Sequence, residues 1–208
     1  MTLATAPVVP SRLEQEAAQF LQASVGTWHS QRRYHTLSTG TTQDAICSIQ
    51  IVWLDPHGPE LLQLARRHTL NPEADPAQTF VVGVQISWKS RYLVDGKPQT
   101  NPHRHLTGSS CFGVLGDRLY RDRGFSTTDP ITSRYSFPQT QTLLTETAYD
   151  GSSFVEECKL LSPNHRTRQT LIHRQGVLQV VGQYVEVRET PSNSSAPVEP
   201  PAAPLTLT

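Results

Sequence analysis

The spacing of hydrophobic residues near the start of the chain has the period of a helix. Ser11 and Glu14 form an S-x-x-E capping box, in which each side chain satisfies a free amide at a helix N-terminus. Gly26 is expected to end this helix in a left-handed cap. Residues 1–10 lack periodicity and are predicted to form a flexible arm. The residues that recur at helical spacing are Leu13, Ala17, Phe20, Leu21 and Ser24.

After Gly26 the pattern changes to the alternation that is typical of half-buried strands. Ala45–Leu54 alternates Cys47, Ile49, Ile51 and Trp53 with polar or outward positions, and Phe80–Trp88 is a second strand-like run. Between them, Pro59–Thr69 places its leucines on one helical face. The sequence therefore predicts one short helix inserted between strands.

The second half of the chain reads as successive hairpins. Gly116-Asp117, Asp150-Gly151 and Gln175-Gly176 are turn signals between strand-like runs. Short antiparallel strands at this spacing predict a meander that closes into a barrel, so residues 11–189 are expected to form a single domain. The Pro/Ser/Ala-rich residues 190–208 are predicted to be disordered. The runs are Leu143–Tyr149, Ser153–Leu161, Arg166–His173 and Val177–Val187.

Composition narrows the function classes. Eighteen basic residues balance eighteen acidic residues, so no broad basic field is available for nucleic acid. Three scattered cysteines, with neither a membrane-span pattern nor a signal-peptide pattern, favour a soluble protein in a reducing compartment. The chain has no Walker loop, dinucleotide fingerprint, GxSxG or HExxH motif. His103 and His105 form an H-x-H that we interpret as part of an exposed loop, and no metal site is predicted.

One hairpin carries an unusual set of charges. Strand geometry places Arg166, Arg168 and Thr170 on one face, about 6.6 Å apart, with Glu156 and Cys158 sharing a face of the preceding strand. If that face is the barrel interior, two guanidiniums suit a ligand that carries two carboxylates. Spacing alone favours an ordinary strand whose charges face the solvent. Similarly, Trp88 could stack on a flat ligand or belong to the core.

Three separated motifs resemble those of the S/U-type phycobiliprotein lyases. The opening motif spans Phe20 to Arg32 and consists of Phe20, Ser24, Gly26, Trp28 and Ser30-Gln31-Arg32. The second, L-x-R-D-x-G-[YF], corresponds to Leu119-Tyr120-Arg121-Asp122-Arg123-Gly124-Phe125. The third, E-x(6)-P-N-x-R-x-R-x-[ST], runs from Glu156 to Thr170. The resemblance extends from about Gln19 to Arg188.

This resemblance implies a mainly β fold: an antiparallel lipocalin-like barrel of about ten strands, with an N-terminal helix and one short inserted helix. It also implies a lyase that binds a free bilin such as phycocyanobilin and promotes its thioether attachment to a cysteine of a phycobiliprotein subunit. Arg166 and Arg168 would hold the two propionates, and Glu156, the catalytic residue, would lie near the pyrrole nitrogens. The bilin-binding residues carried over by motif are Arg32, Trp88, Arg166, Arg168, Thr170 and, as a weaker match, Glu186.

The resemblance further implies that the bilin is a substrate and that no cofactor is tightly bound. The protein would act in a cyanobacterial cytoplasm or a plastid stroma, with homodimers and heterodimers with a related lyase subunit both open. Two departures stand out: Val94 occupies the place of a second family tryptophan, and residues 99–110 are long and rich in His and Pro. Two other functions therefore stay open, a non-catalytic U-like partner subunit and a lipophile carrier of the fatty-acid-binding type.

Overall fold

The computed structural model describes residues 9–94, 97–98 and 105–190. It contains the helices α1 (Arg12–Ser24) and α2 (Pro59–Arg67) and a 3-10 turn at Pro76–Gln78. The strands are β1 (Gly26–Thr36), β2 (Thr41–Leu54), β3 (Val82–Val94), β4 (Lys97–Pro98), β5 (His105–Leu115), β6 (Arg118–Arg121), β7 (Ile131–Gln139), β8 (Thr142–Tyr149), β9 (Ser152–Ser162), β10 (His165–Arg174) and β11 (Val177–Arg188).

Ten of these strands form a closed antiparallel barrel. Neighbouring strands pair in the order β2-β1-β11-β10-β9-β8-β7-β6-β5-β3, and a β2–β3 pairing closes the ring. The short β4 pairs with the end of β3. The predicted fold class, a mainly β barrel with an N-terminal helix and one inserted helix, is confirmed.

The tight hairpin turns follow from their sequences. Asp150 and Gly151 have φ values of 51° and 69°, and Gln175 and Gly176 have φ values of 49° and 77°. Two consecutive positive φ angles produce the turn twist that matches right-handed strand twist. These two of the three predicted turns therefore join strands directly, β8 to β9 and β10 to β11.

Helix α1 closes one end of the barrel. Its capping box forms as predicted, and the Glu14 carboxylate also accepts a hydrogen bond from the Gly116 amide. The apolar face of the helix, including Phe20 and Leu21, packs into the core. The predicted cap at Gly26 is wrong: the helix ends at Ser24, and Gly26, with φ of 127°, already pairs with Ile51 as the first residue of β1.

Helix α2 packs on the outside of the barrel, over a second apolar cluster. Leu61 and Leu64 lie against Phe80 and Cys111 in this cluster. A Cβ atom at Gly83 would come within 2.5 Å of Leu61, so glycine is required for this close approach. Neither helix in the described part of the chain is long and apolar enough to cross a membrane.

The structure corrects the interpretation of the H-x-H segment. Strand β5 begins at His105, which pairs with Arg91 of β3, and Gly108 pairs with Trp88. The predicted loop therefore does not extend to Gly108. A Cβ atom at Gly108 would lie 2.4 Å from the Trp88 ring, so this glycine makes room for the tryptophan. His103 lies outside the described residues, as do almost all of the predicted arm and tail, which stay predictions.

Candidate functional site

The barrel encloses a cavity of about 710 Å³. Phe20 and Leu21 of α1 line its floor. Residues 123–128, which follow β6, line its wall. A volume of this size is typical of a pocket for one organic ligand.

The structure brings the residues predicted from the sequence together in this cavity. The alternative that β10 presents its charges to solvent is wrong, because Arg166 and Thr170 are buried while Gln169 is exposed on the outer face. Glu186 lies in β11 directly beside Arg166 and is fully buried. The predicted residues that line the cavity are Arg32, Trp88, Glu156, Arg166, Arg168 and Thr170.

Arg166 and Glu186 form a buried ion pair near the floor, which we call the floor pair. The Arg166 Nε atom donates to Glu186 Oε2 at 2.5 Å, and the two side chains are 3% and 0% exposed. Arg166 Cζ lies 4.2 Å from the centre of the Trp28 ring, which also contacts Arg188. Burial favours a raised pKa for Glu186, but the charges of Arg168 and Arg166 outweigh it, so the pKa of Glu186 is lowered.

Three charged side chains higher in the cavity form a second set, which we call the wall network. The Glu156 carboxylate lies 3.3 Å from Arg168 Nη2 and 3.8 Å from Arg121 Nη1. The side chains of Arg168 and Glu156 are 25% and 18% exposed, so they are more accessible than the floor pair. One carboxylate is thus shared by two guanidiniums from different strands.

Arg32 lies on the same side of the cavity as Arg168. The Cζ atoms of both arginines are 5.3 Å from the centre of the Tyr184 ring. Arg32 donates to Ser30 Oγ and to the Tyr34 hydroxyl, and it forms no ion pair with the described residues. Its positive charge is therefore available to a ligand.

The charges of the site leave a positive excess. Among the described residues, the guanidiniums of the cavity (Arg32, Arg121, Arg166 and Arg168) face two carboxylates, Glu156 and Glu186. Arg123 also lines the cavity, but Asp122 lies 3.5 Å from its Nε. Because unpaired buried charge is unfavourable, two excess positive charges fit a ligand with two carboxylates.

Cys158 places a thiol in the cavity. Burial raises the pKa of Cys158 to about 11 despite the neighbouring charges of Arg166 and Arg168, so the thiol is protonated near neutral pH. A protonated thiol is a poor nucleophile. No three His, Cys, Asp or Glu side chains of the described residues lie close enough together to hold a metal ion.

Sequence reasoning missed Arg121 and Tyr184. Arg121 belongs to the L-x-R-D-x-G-[YF] motif, and it shares the inner face of β6 with Leu119, so motif and alternation together could have identified it. Tyr184 lies in β11 opposite both Arg32 and Arg168. Its contacts with them depend on strand pairing, which one strand's own pattern does not reveal.

Known proteins resemble this chain in sequence and in fold. A family model described as CpeS-like protein matches residues 16–189. Residues of the chain are 41% identical to a candidate phycocyanobilin lyase, CpcS 2, of Nostoc sp. strain PCC 7120, over 84% of this chain and 92% of that protein. They are 42% identical to a candidate chromophore lyase, CpcV, of Picosynechococcus sp. strain PCC 7002, over 81% of this chain and 79% of that protein.

A solved structure shares the fold. The S-type phycobiliprotein lyase CPES from Guillardia theta superposes with a TM-score of 0.69, covering 88% of this chain and 100% of that chain. The sequence identity of this pair is 21%, so the likeness concerns the barrel itself.

Proposed function

This chain belongs to the CpeS-like protein family, and from that membership and the cavity we propose that it is a bilin lyase. It binds a linear tetrapyrrole such as phycocyanobilin and promotes its attachment, through a thioether bond, to a cysteine of a phycobiliprotein subunit. The observation that carries the proposal is the excess of two positive charges in the cavity, because a bilin carries two propionates.

The arginines bind the propionates and so fix the orientation of the pigment. Arg32 and Arg168 face the cavity from one side, against Tyr184. Arg166 uses its Nε for Glu186, and the rest of its guanidinium adds positive charge at the floor. Trp88 offers an aromatic surface to the pigment, and Thr170 lines the cavity from β10.

Glu156 supports the addition of the thiol. The acceptor's sulfur forms a bond to the ethylidene carbon of the bilin's A ring, and the thiol proton ends on the adjacent ring carbon. A carboxylate beside the pyrrole nitrogens stabilises a protonated bilin, which is the more electrophilic form, or transfers a proton. Most of the remaining acceleration comes from holding the bilin in one orientation.

The nucleophile belongs to the acceptor protein, not to the lyase. The raised pKa of Cys158, about 11, keeps the cavity thiol from competing with the acceptor cysteine. The bilin is a substrate and no tightly bound cofactor takes part. The reaction takes place where phycobiliproteins are assembled, in a cyanobacterial cytoplasm or a plastid stroma, and the chain acts alone or with a related lyase subunit.

An attachment assay tests the proposal. Phycocyanobilin is mixed with a panel of apo-phycobiliprotein subunits, with and without the protein, and covalent pigment is measured after denaturation. We expect adduct above the spontaneous level on one acceptor cysteine. No such adduct, with or without a related partner chain, would overturn the proposal. Adduct that forms only in the presence of a partner, and that Glu156→Gln in this chain leaves unchanged, would assign the chain to the non-catalytic role.

A further inference from the structure

Arg121 occupies an unusual position inside the cavity. It ends β6 on the inner face and is 7% exposed. Its Cζ atom lies 4.8 Å from the centre of the Phe112 ring and 4.7 Å from that of Phe125. Such stacking holds a guanidinium with its N–H groups directed away from the ring faces.

The hydrogen bonds of Arg121 are incomplete. Its Nη1 atom approaches Glu156 Oε2 at 3.8 Å, whereas its Nε is buried without a hydrogen-bond partner in the part of the chain that the structure describes. A buried N–H group with no acceptor is unfavourable and unusual in native proteins. An acceptor from a ligand in the cavity would satisfy it.

The kind of acceptor follows from the surroundings. Arg121 already lies beside Glu156, so part of its charge is compensated, and its buried Nε–H needs an acceptor that adds no further negative charge, such as an uncharged carbonyl oxygen. The aromatic rings of Phe112 and Phe125 beside it favour a flat, uncharged ligand group. The carboxylate-binding arginines Arg32 and Arg168 lie instead against Tyr184 on other strands.

We propose that Arg121 is a further ligand-binding residue, which donates a hydrogen bond to the lactam carbonyl oxygen of a terminal bilin ring held beside Phe112 and Phe125. The inference rests on the proposed function, because it requires a bilin in this cavity. In this arrangement the propionates fix one part of the pigment and Arg121 fixes one end. Arg121 therefore contributes to the choice of which ring the acceptor thiol can reach.

The test compares two ligands and matched variants. Wild type, Arg121→Met and Arg118→Met are titrated with phycocyanobilin and with its dimethyl ester, and binding is followed by the visible absorbance of the pigment. Arg118 is the control because it lies on the same strand but points outward and pairs with Asp117. We expect Arg121→Met to weaken binding of both ligands by about the same factor, close to tenfold, and Arg118→Met to change neither.

A second variant keeps the test valid if Arg121→Met does not fold. Arg121→Lys retains the charge beside Glu156 but has no N–H at the Nε position. This variant should fold and should still bind both ligands more weakly than the wild type does. Unchanged affinity in a folded Arg121 variant would overturn the inference, as would a loss confined to the free acid, which would make Arg121 a propionate ligand. Failure of the wild type to bind bilin would instead refute the proposed function.

Discussion

The floor pair and the wall network use the same residue types in neighbouring positions for different purposes. Arg166 and Arg168 are two residues apart on β10 and belong to one motif. Arg166 is 3% exposed and hydrogen-bonded to a single buried carboxylate, whereas Arg168 is 25% exposed and shares Glu156 with Arg121. The floor pair is thus a closely bonded, buried pair that stabilises the barrel near α1, whereas Arg168 and Glu156 of the wall network remain accessible to a ligand.

The largest expected effect comes from removing one member of the floor pair. Arg166→Met leaves the fully buried Glu186 without its partner, and we expect the free energy of unfolding to fall by about 3–5 kcal/mol. Urea unfolding measures the change. The double variant Arg166→Met/Glu186→Leu should recover much of it, because the uncompensated charge is gone.

The same substitution in the wall network serves as the control for stability. Arg168→Met removes a charge that also stabilises buried Glu186, but it leaves Glu186 hydrogen-bonded to Arg166 and leaves Glu156 with Arg121 and with access to water. The loss should therefore be smaller than for Arg166→Met. Equal losses for Arg166→Met and Arg168→Met would contradict the division between the two sets.

The second prediction concerns chemistry in the wall network. Glu156→Gln keeps the size of the side chain and removes its charge, so transfer of bound bilin should slow by about 100-fold or more while folding is retained. Glu157→Gln is the matched control, since the adjacent side chain is exposed on the outer surface. Transfer by Glu156→Gln at the wild-type rate would remove Glu156 from the reaction.

The third prediction separates propionate binding from other contacts. Arg168→Met should weaken binding of free phycocyanobilin at least about tenfold, because hydrogen bonds between charged groups contribute about 1.5–3 kcal/mol. It should leave the affinity for the dimethyl ester nearly unchanged. Arg33→Met, an exposed arginine on the outside of β1, is the control and should affect neither ligand. Equal weakening of acid and ester would argue against propionate recognition by Arg168.

The fourth prediction concerns the stability of the fold at low pH. The pKa of Glu186 is lowered from its ordinary value of 4.5 in the folded protein. As the pH falls, Glu186 is therefore protonated in the unfolded chain before it is protonated in the folded protein. The stabilisation is therefore present above about pH 4.5 and is lost as the pH falls below it, by at most about 1.4 kcal/mol per pH unit. Urea unfolding of wild type and Glu186→Gln between pH 3 and pH 7 should show a difference that shrinks with acid. A constant difference would contradict the lowered pKa.

The smallest effect is expected at the cavity thiol. Cys158→Ser should change the transfer rate less than about twofold, since a thiol with a pKa of about 11 is protonated near neutral pH. Single-turnover transfer measures it. A large loss of transfer with unchanged bilin binding would show that the thiol takes part in the reaction.

The fold was predictable from the sequence where residues close together in the chain determine the local conformation. The turn residues Asp150-Gly151 and Gln175-Gly176 and the alternation along β2 depend only on residues close in sequence, and the structure has them as predicted. The predictions of element boundaries were wrong where pairing with a strand distant in sequence determines the boundary. Gly26 joins β1 because it pairs with Ile51, and β5 starts early because it extends along β3.

The site was predictable strand by strand but not across the barrel. The alternation along β10 placed Arg166 and Arg168 on one face, and the family motifs indicated that this face is the interior. The sequence did not reveal that Arg166 pairs with Glu186, or that Arg121 on β6 reaches Glu156 on β9. Those contacts depend on which strands the closed barrel brings together. Arg166 and Arg168 therefore have different partners, although they occupy equivalent positions in the motif.

A single-turnover experiment tests the central claim most directly. The protein is loaded with phycocyanobilin, freed of unbound pigment and mixed with excess apo-subunit, and covalent adduct is followed with time after denaturation. We predict that the loaded pigment passes to the acceptor faster than it dissociates into solution, with the product on one cysteine. Adduct that forms only as fast as free bilin is released, with the products of spontaneous attachment, would contradict the account and make the barrel a carrier.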